Sequence, residues 1–154
     1  MPSNKGQVSK RPIRSHAESK LMNKTTPPEK PAAALPDSGG YLTLAGPFKA
    51  ADDGLTLEAG PHHMNGYNNT HGGLVMSFAS ATLRDLAEKT ASGPCRLVSF
   101  NSDFLAAGGP TDLLEGKARV TRATRSILFI EGTVSAGDRV LNRATAIYAV
   151  GDEA

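Results

Sequence analysis

The residues of this chain that could do chemistry crowd into one stretch, His62-His63-Met64-Asn65-Gly66-Tyr67-Asn68-Asn69-Thr70-His71-Gly72-Gly73. Three of the four histidines lie there, almost without apolar periodicity, so Gly60 to Gly73 reads as an ordered loop. From Leu74 the pattern becomes helical. A helix start leaves backbone N–H groups without intrahelical partners and carries about half a positive charge. Gly72 and Gly73 have no side chains to block approach to those groups. A ligand oxygen gaining negative charge could sit directly on them, as in an oxyanion hole. The placement suits attack on a carbonyl better than phosphate cradling, because no P-loop lysine follows. A tight turn with a capping side chain would use the same His-Gly-Gly.

The elements that must hold this loop follow from periodicity. Leu74, Phe78, Thr82 and Leu86 recur at i+4, with Val75, Ala79 and Leu83 as an adjoining row. The spacing predicts a helix of about 17–19 residues, ended by Ala91-Ser92-Gly93-Pro94. Its first half is uncharged, which predicts enclosure on nearly all sides. Its second half pairs Arg84 with Glu88 and Asp85 with Lys89 at i,i+4 and faces water. Tyr41–Leu44 and Leu55–Glu58 read as short strands around an Ala51-Asp52-Asp53-Gly54 turn. Leu97–Phe104 alternates, with Val98, Phe100, Ser102 and Phe104 on one face. Leu113–Ala123, Ser126–Ser135 and Arg139–Val150 follow, the last two joined by the hairpin signal Ala136-Gly137-Asp138. The expected class is α+β, a curved antiparallel sheet wrapped around one long helix. Such a sheet leaves an edge or face that a second copy would cover.

Length and composition bound the rest. The chain has 154 residues, room for one domain. Its net charge of +2 argues against a nucleic-acid binder working by bulk electrostatics. The lone Cys95 excludes an intrachain disulfide framework, and no apolar run approaches bilayer length. Residues 1–40 hold six of the ten prolines, no aromatic residue, and seven basic against three acidic residues. They read as a disordered basic tail preceding a folded domain over 41–154. The tail lacks the apolar core of a secretory peptide, so the expected location is cytoplasmic, without membrane attachment.

His63-Met64-Asn65, then His71-Gly72-Gly73 opening a long helix, then Asp103-Phe104-Leu105 in the next strand, resembles the hotdog-fold acyl-CoA thioesterases of the PaaI-like branch. The resemblance covers about Gly60 to Val150. It implies a hotdog fold, thioester hydrolysis without a cofactor, and dimers or tetramers with active sites between subunits. It also implies that the Gly72 amide polarises the thioester carbonyl and that Asn65 and His71 orient the ester or water. The family's catalytic Asp, nine residues after that histidine, is here Ser80. An assisting Ser or Thr matches Leu97, with Ser99 and Ser102 near it. Water would attack near Ser80. His63, Gly73, Phe78 and Phe104 would contact substrate, and Arg122 and Arg125 would reach coenzyme A phosphates.

Other chemistries are weaker. The histidines lack a nearby carboxylate or Cys to complete a metal site. Cys95 reads as a small buried residue, although Arg96 could activate it. Ser80 has no nucleophile elbow around it. His62 or His63 could replace the missing base. Three rivals stand beside hydrolysis: a catalytically weak or inactive acyl-CoA-binding hotdog protein, a hotdog hydratase, and an interaction module working through the tail. The hydratase would want a carboxylate, and Gly60–Ala79 has none.

Overall fold

A computed structural model describes residues 40–151. The tail expected over 1–40 lies, except for Gly40, outside the described residues. In chain order the elements are α1 (Tyr41–Ala45), β1 (Lys49–Ala51), β2 (Gly54–Glu58), α2 (Gly72–Thr90), β3 (Cys95–Phe104), β4 (Leu113–Ala123), β5 (Ile127–Ala136) and β6 (Arg139–Val150). The strands form one six-stranded sheet in the order β1-β2-β4-β5-β6-β3, antiparallel at every pair.

The helix turns Leu74, Val75, Phe78, Ala79, Thr82, Leu83 and Ala87 toward this sheet. Leu57, Leu114, Ile130, Val134, Leu141 and Tyr148 meet them from the strands. Burial of these aliphatic side chains, about 1.5–3 kcal/mol each, fixes which helix face lies down. Glycine sets how close it lies. A Cβ on Gly116 would stand 2.2 Å from Thr82 Oγ1, so only a bare backbone admits the helix there. Register shifts at Leu97/Ser99, Val120/Arg122 and Val134/Ser135 bend the strands, and bulges of this kind curve a sheet around what it covers. Gly137, at φ 56, opens the two-residue turn that pairs Ala136 with Arg139.

Three expectations change. Tyr41–Ala45 is a helical turn packed on α2, and the partner of β2 across the Asp52-Asp53 turn is β1. Four alternating residues fit a strand or a helical turn equally, and packing decides. Val98 leaves the inward face, because it is the extra residue between the paired positions Leu97 and Ser99, and it is 53% exposed. The uncharged front of α2 is also only partly enclosed. Met76 is 40% exposed and Ser77, Ser80 and Ala81 are half-buried, since one sheet covers one side of a helix.

Candidate active site

The loop before α2 is tied to both flanks. Met64 and Thr70 form a bridge, and the Asn65 and Asn69 backbones close a turn (Asn65 N–H to Asn69 O, 2.8 Å) with Asn68 at φ 58. The Thr70 N–H reaches Gly108 O at 2.8 Å, and the His71 N–H reaches His63 O at 2.8 Å. These bonds deliver His71 to the helix start in extended conformation, φ −61 and ψ 130.

His71 is the N-cap. Its Nδ1 accepts from Gly73 N–H at 3.0 Å, while Leu74 and Val75 donate to His71 O at 2.9 and 3.1 Å. The capping turn and the oxyanion hole therefore coexist: His71 takes the Gly73 amide, and Gly72 keeps its own. Among the described residues the Gly72 N–H has no acceptor. Gly72 is half-buried, and a Cβ there would stand 3.4 Å from the Phe104 ring. Phe104, 54% exposed, thus brings the end of β3 beside the helix tip.

Asn65 spends its Oδ1 on the loop, accepting from Tyr67 N–H at 2.9 Å and Asn69 N–H at 3.2 Å. Its Nδ2 has no acceptor among the described residues. His63 is buried, with Nδ1 accepting from Gly60 N–H at 3.0 Å and Nε2 unpartnered. Burial pushes its pKa below the ordinary value, the adjacent His62 adds to this, and the Ala45 carbonyl opposes it. The His63 Nδ1 contact ties the start of the loop at Gly60. Phe78 has no exposed surface and packs edge-on against Phe48 at 5.2 Å, which places it in the core.

Ser80 lies in a groove of about 450 Å³ between α1, the open face of α2 and β3. The floor is Ser77, Ser80 and Ala81, with Met76 and Arg84 on either side of them along the helix. Tyr41 and Leu42 form one wall, Leu97 and Phe100 the other. No carboxylate lines it. Phe100 and Phe104 sit on the same strand, so the groove and the helix tip share the α2–β3 seam. A larger hollow of about 720 Å³ on the sheet's outer face, with Lys117, Glu131 and Arg143 among its lining residues, shares nothing with the loop.

Arg122 and Arg125 are exposed near the β4–β5 turn. By register Arg122 is level with Ser99, and Arg125 in the turn is level with Cys95, so Arg125 lies roughly 30 Å of strand from the Gly72 end and Arg122 about half that. Cys95 is half-buried, and burial pushes its thiol pKa up, against any activation by Arg96. Among the described residues no cluster of three metal-ligating side chains occurs. Tyr41 and Ser77 were hidden from sequence reasoning, because their contact depends on α1 being helical.

Residues 67–142 match the family model described as the thioesterase superfamily. Solved structures share the fold. A phenylacetic acid degradation-related protein from Ralstonia eutropha JMP134 is 24% identical with a TM-score of 0.64, over 75% of this chain and 92% of that one. A Bacillus halodurans protein solved with CoA is 17% identical at TM-score 0.66, over 75% and 82%. The E. coli PaaI protein from the phenylacetic acid degradation operon is 16% identical at TM-score 0.61, over 68% and 78%. No curated protein matches the chain. Sheet order, single long helix and solved structures agree on the hotdog fold, and the matching stretch, residues 67–142, is similar to the thioesterase superfamily.

Proposed function

We propose that this chain hydrolyses acyl-CoA thioesters to a free acid and CoA, with the carbonyl oxygen polarised by the Gly72 amide. The observation that carries this reading is the unshared Gly72 N–H at the tip of a 19-residue helix, beside a Gly73 amide already taken by His71. The CoA held by the Bacillus halodurans relative supports the substrate class. Water adds to the carbonyl carbon, the C–S bond breaks, and the thiolate leaves with a proton. A cytoplasmic location belongs to the same reading.

Gly72 and Ser80 are eight residues apart on one helix, roughly 12 Å of rise. One thioester cannot touch both within a chain. Antiparallel pairing of two β3 edges resolves this. Phe104, beside Gly72, ends the strand, whereas Leu97 and Phe100, beside Ser80, lie nearer its start. In such a pair Gly72 of one copy meets the partner's Ser80, and the homodimer holds two equivalent sites; a tetramer would pair two such dimers. Arg122 and Arg125 then stand at the end where the partner's Gly72 arrives, within reach of CoA phosphates.

The test is Gly72→Pro. Proline is tolerated at the first helical position, and His71 already has the extended backbone favoured before proline. The substitution deletes the N–H and keeps the helix. CoA release should fall by about 10²–10³-fold with the melting temperature retained. Undiminished release would remove the amide from the mechanism.

Ser80 and the absence of any carboxylate in the groove favour a second reading, an acyl-CoA binder with weak or no turnover. General-base help is worth about 10²–10⁴-fold, so Ser80→Asp should raise CoA release by about tenfold or more. Tight binding by the native chain without release, cured by this substitution, would select the second reading.

A further inference from the structure

Tyr41 has no role in the site so far, yet its hydroxyl stands 3.0 Å from Ser77 Oγ in the wall of the groove that holds Ser80. Ser77 donates its single proton to Gly73 O at 2.7 Å. Tyr41 must therefore be the donor in its contact with Ser77. The chain of bonds runs from α1 through Ser77 to the first turn of α2. The Tyr41 side of α1 is otherwise lightly held: Tyr41 is 62% exposed and Leu44 is 76% exposed. Ala45 anchors the far end of α1 in the core, and the hydroxyl contact holds the Tyr41 end, which forms the wall of the groove.

We propose that Tyr41 is a specificity-determining residue, whose hydroxyl ties α1 to Ser77 and so limits the bulk and length of the acyl group the groove accepts. This rests on the thioesterase reading above. The occupant is the acyl part of the ester, because the groove contains Ser80 and, in the dimer proposed above, opens where the Gly72 tip of the other copy arrives. Its apolar walls of Leu42, Met76, Leu97 and Phe100 suit hydrocarbon, and its volume of about 450 Å³ is at the small end for ligand sites. The native chain prefers short acyl groups, and freeing α1 widens the groove.

The experiment measures CoA release by the full chain from butanoyl-CoA and dodecanoyl-CoA, for native protein, Tyr41→Phe, Ser77→Ala, the double variant and Tyr41→Ala. Tyr41→Phe keeps the ring and removes the donor. It should raise the dodecanoyl-to-butanoyl ratio of kcat/KM about three- to tenfold, the span of one hydrogen bond's net worth. Ser77→Ala should do the same, the double variant no more than either, and Tyr41→Ala more than all. The change should lie in KM, with kcat on butanoyl-CoA retained. A general loss of folding would lower both esters together and would not spare the kcat of the shorter one. A ratio that stays constant across the variants while CoA is released overturns the proposal and leaves hydrolysis standing. If the native chain releases no CoA, the non-hydrolysable thioether analogues of the two esters read the same ratio as Kd. A ratio that still moves then supports Tyr41 while hydrolysis fails, and no binding of either analogue overturns both.

Discussion

At the scale of single residues, the loop histidines divide by what their nitrogens already hold. His71 and His63 each commit Nδ1 to a backbone N–H, so neither offers that nitrogen as a base. His63 also titrates against the fold. Its folded pKa is depressed by burial, so the unfolded chain binds the proton more readily. The stability it contributes is complete above the ordinary histidine value of about 6.5 and is lost as pH falls through the lower folded value. Thermal melts from pH 7.5 down to 5 should show native protein losing more stability than His63→Asn, whose amide oxygen can still accept from Gly60. Equal losses would sink the assignment. The helix start was legible at this scale: His71 caps α2 and Gly72 opens it, where the onset of helical spacing predicts. The burial of Phe78 was not, because an aromatic residue on a helix reads the same whether it faces ligand or core, and the contact with Phe48 places it in the core.

At the scale of elements, the site depends on how deeply α2 settles into the sheet. Gly116 lets Thr82 approach, and Thr82 Oγ1 is turned back to Phe78 O at 2.9 Å. Gly116→Ala should therefore cost about 1–3 kcal/mol by overpacking, read from denaturant unfolding. Thr82→Ala in the same chain should return part of it, since it removes the nearest atoms. An additive loss would mean the clash lies elsewhere. The strands β2, β4, β5 and β6 were legible because their alternation is long or bounded by Gly and Asp turns. α1 was not, since five residues carry too little pattern. The Val98 bulge was not either, because an inserted residue preserves apolar composition while changing which face it meets.

At the scale of the whole molecule, the two rims of the sheet differ in kind. β1 is three residues long and carries Lys49, paired with Glu58 at 2.7 Å, which is how natural sheets blunt an edge. β3 is ten residues long and exposes Leu97, Val98 and Phe104. In the homodimer proposed above, that contrast gives the pairing to β3. In the pairing that brings Gly72 to the partner's Ser80, Val98 lies opposite the Phe104 end of the other copy. Val98→Lys should therefore seat a charge against the apolar Phe104 end, yield monomers by light scattering, and abolish CoA release with them. A monomer that still turns over would show that each chain carries a whole site.

In the dimer proposed above, the glycine tip and the serine ride two turns apart on one stiff rod and serve different sites, so damage to either would be healed by a sister chain. A polypeptide spoiled at the tip, co-expressed with one spoiled at the serine, would form hybrid pairs in which one site is sound and the other doubly broken.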